Sequence, residues 1–403
     1  MATELPTSPA SPGEVGIAEI ERAAQAIATG VRETPILSAG AIAERVGAPV
    51  LLKAENLQRT GSFKLRGALN KLSELTPAEL ERGVVAASAG NHAQAVAVAA
   101  RSRGAEADLV MPAQAPLAKV EAVRAYGGRV RLVEGGYDDA AAAATELAER
   151  EGRTLIHPFD DPAVIAGGGT TGLEIARQAP QTRLIAVAVG GGGLAAGTAI
   201  AAKRRLPDVR VVGVLAEARA RGTICDGIAV KRPGALTGPL VSEHVDELVT
   251  VNDDEVAQAM VLLLERSKLV VEGAGAASVA ALLAGKVTPP SEGEICAVLS
   301  GGNVDAARLV ECIRLGETAA GRRLVLSSVV PDRPGALSAL LRTVAEEGAN
   351  VIDVAHIREG MDLHVRETAI RLVLQTDGAE HGDRVLAAVR EAGFPAEQER
   401  SSR

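Results

Sequence analysis

Apolar residues recur at helical spacing from Ile17 to Thr29 and predict an amphipathic helix. Pro49 to Lys53 reads as a short strand. From Val84 the pattern becomes regular: strand, glycine-bearing turn, helix. The pairs are Val84–Ala87 with Asn91–Arg103, Ala107–Met111 with Ala115–Tyr126, Arg129–Val133 with Asp138–Glu151, and Thr154–Ile156 with Val164–Gln178. Leu184 to Val189 is almost wholly apolar, as a strand covered on both faces should be. Helix Ala195–Arg205 and strand Val211–Leu215 follow. Such alternation implies an α/β fold of two open, twisted, mostly parallel sheets with right-handed crossovers. Ligands on such sheets bind at the carboxyl ends of strands, where the glycine turns fall.

After Gly321 the pattern changes. Leu324–Val330, Asn350–Arg358 and Thr368–Gln375 read as strands, Ala336–Glu347 and Glu380–Glu391 as helices, with a last strand near Pro395. This is a compact α+β domain at 323–396, suited equally to dimerisation or to ligand sensing. The part before it, 15–320, is long enough for two subdomains, and the polar, Pro/Ser-rich residues 1–14 are expected to be disordered.

Composition narrows the function. The net charge of −8 excludes the basic footprint of a nucleic-acid binder. No apolar run reaches membrane-spanning length, and the start lacks the features of a signal peptide. The three cysteines are scattered, form no metal spacing and suit a reducing cytosol. The 43 glycines suggest tight loops against a ligand.

Four turns carry candidate chemistry. Thr60-Gly61-Ser62 precedes Phe63-Lys64, and Ser62 reads as the N-cap of the helix that follows. Lys64 then lies in the first helical turn, where the dipole disfavours a cation and a depressed pKa is expected. Taken alone, this is a surface lysine at a helix start; the other turns overturn that reading. Ser88-Ala89-Gly90-Asn91-His92 joins strand to helix, and its free N–H groups suit a carboxylate. Asn91 either donates to a ring oxygen or caps its helix. His92 is a helix-start histidine in a polar contact rather than a catalyst. Gly190-Gly191-Gly192-Gly193-Leu194 follows an apolar strand and exposes successive N–H groups to a phosphate. It is neither a dinucleotide fingerprint nor a P-loop. Ser300-Gly301-Gly302-Asn303 offers a neutral hydroxyl that can also cap a helix. A lysine able to form an imine, an asparagine, a phosphate cradle and a neutral hydroxyl together describe a site for pyridoxal 5'-phosphate.

These motifs resemble threonine ammonia-lyase (threonine dehydratase), a fold-type-II pyridoxal-phosphate enzyme. The resemblance extends to Met111-Pro112 through Lys119, His157 to Pro162, and Asp226 to Val230. Residues 323–396 resemble an ACT domain, a ferredoxin-like amino-acid sensor, with Pro331 to Gly335 as its first turn. The resemblance implies that Lys64, beside Phe63, bonds the cofactor and acts as base. It gives Asn91 to the ring hydroxyl, Gly190 to Leu194 to the phosphate, Ser300 to the pyridine nitrogen, and the Ser88–His92 turn to the substrate carboxylate. It implies deamination of L-threonine, and of L-serine, to 2-oxobutyrate or pyruvate and ammonia, in isoleucine biosynthesis or threonine catabolism. It further implies a cytoplasmic homodimer or homotetramer, an amino-acid effector at the ACT domain, and no membrane or nucleic-acid partner.

Two departures stand out. Only Ala218 to Arg221 remain where relatives carry a longer segment, which puts Glu217 in doubt as a cation ligand; no metal is expected. Gly168 stands where glutamine is commoner. The competing readings are a serine racemase or serine dehydratase of the same fold, and a non-catalytic amino-acid sensor. Racemases of the family carry a serine base where this chain has Ala89, which has no proton to give.

Overall fold

A computed structural model of the chain describes residues 15–217, 222–230, 233–358 and 364–399. The expected disorder of residues 1–14 and the shortened segment Ala218 to Arg221 lie outside the described residues. The chain divides into two compact units between Ala306 and Ala307.

The first unit holds two sheets. Its strands are β1 Ile36–Ser38, β2 Val50–Lys53, β3 Val84–Ala87, β4 Ala107–Pro112, β5 Arg129–Val133, β6 Thr154–Leu155, β7 Thr182–Ala188, β8 Arg210–Ala216, β9 Glu247–Val251 and β10 Glu294–Val298. The larger sheet runs β1-β2-β10-β7-β8-β9, and the smaller runs β5-β4-β3-β6. Every pairing is parallel except β1 with β2. Central strands are apolar on both faces: Leu184, Ile185, Ala186 and Val187 are all fully buried, because helices cover both sides. The edge strand β5 instead carries Arg129 and Arg131, both paired with the buried Asp108 at 2.9 Å.

Helices Pro162–Gln178 and Gly193–Arg205 touch backbone to backbone. A Cβ at Gly197 would lie 2.8 Å from the Gly169 Cα, so only glycine permits the approach. This contact sets the start of the second helix, and with it the glycine turn, against the first.

Beneath the Lys64 helix lies a buried ionic cluster. Arg66 donates two hydrogen bonds to Glu55 at 2.8 Å and two to Glu174 at 2.7 and 2.9 Å, and Lys53 reaches Glu174 as well. Arg66 and Glu55 are both fully buried. Burial alone would raise the Glu55 carboxyl, but Arg66, aided by Lys53, holds it below its usual range. Removing one partner strands a buried charge. Arg66→Leu is therefore expected to lower stability by about 3–5 kcal/mol, read as a fall in denaturation midpoint at neutral pH.

The helix Ala306–Ala319 begins at the division, and the second unit continues with β11 Arg323–Pro331, helix Ala336–Glu346, β12 Asn350–Ile357, β13 Glu367–Gln375, helix Ala379–Glu391 and β14 Ala396–Gln398. The sheet is antiparallel, in the order β12-β13-β11-β14. Its core joins Leu326, Ile370 and Leu372 to Leu340 and Val344 of one helix and Val385 and Val389 of the other. Those helical residues are spaced by four, on one face of each helix.

Candidate active site

The Lys64 turn is held from behind. The Phe63 N–H donates to the Ser300 carbonyl at 3.0 Å, and the Gly302 N–H to the Gly61 carbonyl at 2.8 Å. Ser62 and Gly301 face each other in an antiparallel bridge. This corrects the capping expectation. Phe63, not Ser62, stands before the helix Lys64–Ser73, and no side chain caps it. Ser62 is committed to the bridge, and its hydroxyl is buried with no partner among the described residues.

Lys64 is the first residue of that helix. Its Nζ donates to the Pro158 carbonyl at 2.7 Å. Its pKa is brought down to about 8 by burial, against the opposing pull of the Glu272 carboxylate. The direction agrees with expectation, but the chief cause is desolvation rather than the helix dipole.

The glycine turn leaves β7 and opens the helix Gly193–Arg205. A Cβ at Gly191 would overlap the Phe159 ring, which covers the turn. Phe159 is itself positioned by His157, whose Nδ1 accepts from the Phe159 N–H at 3.3 Å and the Asp160 N–H at 2.8 Å. The Asp160 carboxylate then accepts from the N–H groups of Ala235, Leu236 and Thr237. Among the described residues, no acceptor meets the amide N–H groups of Gly190 to Ala195. Such a run of free donors at a helix start suits a phosphate.

Asn91 does not cap its helix. Its Nδ2 donates to Glu272 Oε1 at 2.6 Å, and its Oδ1 accepts from Asn303 Nδ2 at 2.8 Å. Asn303 also donates to the Thr60 carbonyl, at 2.8 Å, so one amide joins the Lys64, Asn91 and Ser300 turns. Ser300 is buried, and among the described residues its hydroxyl makes only a 3.4 Å contact, with the Ala274 carbonyl. The His92 ring donates to the Ile156 carbonyl at 2.9 Å, and burial pushes its pKa down to about 3. His92 is thus a neutral side chain whose ring is satisfied. The turn before it is less open than expected: the Ser88 N–H donates to the Val110 carbonyl and the Gly90 N–H to the Ser88 hydroxyl, each at 3.1 Å, so only the N–H groups of Ala89, Asn91 and His92 meet no acceptor among the described residues.

The residues assigned to cofactor and substrate all line one cavity of about 1180 Å3: Phe63, Lys64, Ser88 to His92, Gly190 to Leu194 and Ser300. Lys119 and Asp226, also in its lining, pair at 2.9 Å. Sequence reasoning missed Glu272, Asn303 and the covering role of Phe159. Glu272 was legible as the single charge between Lys268 and Lys286, where an ionisable group is bound to be buried. Among the described residues no group of three or more His, Cys, Asp or Glu is placed to hold a metal. A lysine shifted toward its free-base form, a cradle of unused amides kept clear by glycine, and a buried hydroxyl fit pyridoxal phosphate.

Residues 27–301 match the pyridoxal-phosphate dependent enzyme family. The chain belongs to that family. This pyridoxal-phosphate enzyme is 41% identical over 396 residues to L-threonine ammonia-lyase of Thermotoga maritima, covering 94% of this chain and 98% of the relative. Among solved structures it resembles maize serine racemase, with a TM-score of 0.71 and 34% identity over 74% of this chain and 97% of that one. It likewise resembles a threonine deaminase from T.th., with a TM-score of 0.67 and 38% identity over 72% of this chain and 99% of that one. The alignment with the Thermotoga relative therefore extends into the second unit.

Proposed function

We propose that this enzyme is a threonine ammonia-lyase, deaminating L-threonine to 2-oxobutyrate and ammonia, and L-serine to pyruvate. The observation that carries the reading is Lys64: a desolvated amine, lowered to about 8, in the same cavity as the free amides of the glycine turn. When bound, the cofactor supplies an electron sink for the charge left on the substrate α-carbon. The protein's groups do the rest. Lys64 removes the α-proton, a step worth about 10²–10⁴-fold for a well-placed base. Where the amine is free, the Pro158 carbonyl accepts from it. Gly190 to Leu194 would hold the phosphate, Asn91 the ring oxygen, and Ser300 the ring nitrogen. A neutral hydroxyl there would leave that nitrogen without a full positive charge, which would favour prompt loss of the β-hydroxyl over transamination. The substrate carboxylate would be taken by the backbone N–H groups of Ala89, Asn91 and His92, since those of Ser88 and Gly90 already donate to the Val110 carbonyl and the Ser88 hydroxyl. An assay for ammonia and 2-oxoacid over threonine, serine and D-serine tests the reading; no product from L-threonine or L-serine ends it in favour of a sensor.

Ala89 favours elimination over inversion, because it presents no proton on the opposite face. Ala89→Ser is expected to raise racemisation relative to elimination, seen as solvent deuterium in recovered L- and D-serine. An unchanged ratio means that Ala89 does not set the outcome.

We further assign 15–320 to catalysis and 323–396 to an ACT-like regulatory domain, in a cytoplasmic homodimer or homotetramer serving isoleucine biosynthesis or threonine catabolism. The βαββαβ order of the second unit supports this, as does the Pro331–Gly335 turn, whose Gly335 opens the helix Ala336–Glu346 and leaves N–H groups for a carboxylate. Isoleucine or valine is expected to bind there and change threonine turnover, with a coupling of about 1–3 kcal/mol. Calorimetry and kinetics on the full chain, with truncation after Gly321 as control, separate sensing from assembly. Loss of the oligomer on truncation, with no calorimetric or kinetic response in the full chain, leaves assembly alone.

A further inference from the structure

Glu272 has no role in the reaction as derived above, yet the cavity is built around it. It stands immediately before the helix Gly273–Leu283, with its own N–H donating to the Gly301 carbonyl at 3.1 Å. Its side chain turns inward and is buried. A Cβ at Gly301 would overlap its Oε1, so the glycine of the Ser300 turn keeps room for this carboxyl group. Oε1 accepts from Asn91 Nδ2 at 2.6 Å, while Asn303 holds the other end of the same amide at 2.8 Å. With both ends fixed, one Asn91 N–H is left over, and its direction is set.

We propose that Glu272 is a positioning residue of the reaction, acting through Asn91: it aims the remaining Asn91 N–H at the ring oxygen of the cofactor. The proposal rests on the cofactor reading of the cavity. It also gives the cavity a pH-responsive group. Burial raises the Glu272 carboxyl to about 7, and Asp226 adds to this; Asn91, Lys119 and Lys64 oppose it. Cys225, on the same segment as Asp226, also faces it, as a thiol that burial keeps protonated. When Glu272 gains or loses its proton, the charge behind Asn91 changes, and the electron density at the ring oxygen changes with it.

The test uses the full-length protein. In the wild-type holoenzyme, the violet-blue band of the bound cofactor is expected to change with pH, with its midpoint above the usual carboxylate range. In Glu272→Gln the cofactor stays bound and that transition is lost. Glu272→Ala is expected to weaken cofactor binding about tenfold, the usual scale for losing a hydrogen bond to a charged group. In an Asn91→Ala background the same change should weaken it less than about twofold, because the intermediary is gone. The cofactor-free protein gives an independent readout. A carboxyl raised in the folded state binds its proton more tightly there than in the unfolded chain. Wild-type stability therefore falls as pH rises from 4.5 to about 7, and Glu272→Gln should gain on it over that range. A role in packing alone would give a constant offset. Identical pH profiles in wild type and Glu272→Gln overturn the proposal, and additive losses in the double variant overturn the route through Asn91. A wild-type protein with no violet-blue band overturns the cofactor reading instead, and this proposal with it.

Discussion

Lys64→Ala is expected to lose threonine turnover by about a thousandfold or more, together with the violet-blue band of the bound cofactor. The loss combines the base, worth about 10²–10⁴-fold, with the covalent hold on the cofactor. The fold should survive. Among the described residues the Lys64 amine makes a single hydrogen bond, to Pro158, and alanine is the best helix former. The cofactor-free variant should even be the more stable protein at neutral pH. A lysine lowered to about 8 binds its proton more weakly in the folded state than in the unfolded chain. Wild-type stability is therefore reduced below pH 8 and recovers as pH rises from 8 toward 10.5, whereas the variant has no such dependence. Thermal melting across pH, with absorbance and turnover, checks all three. A variant that keeps both band and turnover sinks the assignment of Lys64.

Gly191→Ala should be nearly as damaging, for a steric reason. The new methyl group would overlap the Phe159 ring, and the atoms it meets include the ring carbon nearest the backbone, so the ring cannot simply swing its tip away. Phe159 is also packed edge-on against His157, with ring centroids 4.7 Å apart. Overpacking of this kind costs about 1–3 kcal/mol, and here it falls on the glycine turn itself. Cofactor affinity, measured by titrating the apoenzyme, is expected to fall about a hundredfold if some ~2.7 kcal/mol is lost from binding. Phe159→Ala in the same chain should restore part of it by making room. Wild-type affinity in Gly191→Ala would mean that the turn does not hold the phosphate.

The strand-to-helix turns were readable because their glycines follow apolar strands, and strand ends are where parallel sheets bind ligands. Lys64, Asn91 and Ser300 followed from those turns and from the family resemblance. What escaped reading depends on contacts distant in sequence. Arg66 looks like a surface residue beside Lys64, and only the arrival of Glu174 and Glu55 makes it part of the core. Ser62 has the chemistry of a cap, but pairing with Gly301 takes its backbone elsewhere. Glu272 left a signal, an isolated charge in an apolar run, yet its partner Asn91 lies 181 residues away. Local pattern reports periodicity and turn chemistry; it does not report which turns meet.

The order in which the turns meet bears on synthesis. Strands β3 to β6 are contiguous in the chain and form the smaller sheet by themselves. The larger sheet needs β10 between β2 and β7, and Asn303 reaches back 243 residues to Thr60. On the ribosome, the smaller sheet can close while the Lys64 turn still lacks its support. Long-range closure of this kind is slow. Cofactor capture therefore belongs to the end of translation of the first unit, and a nascent chain that stalls before β10 would carry the lysine without a place to use it.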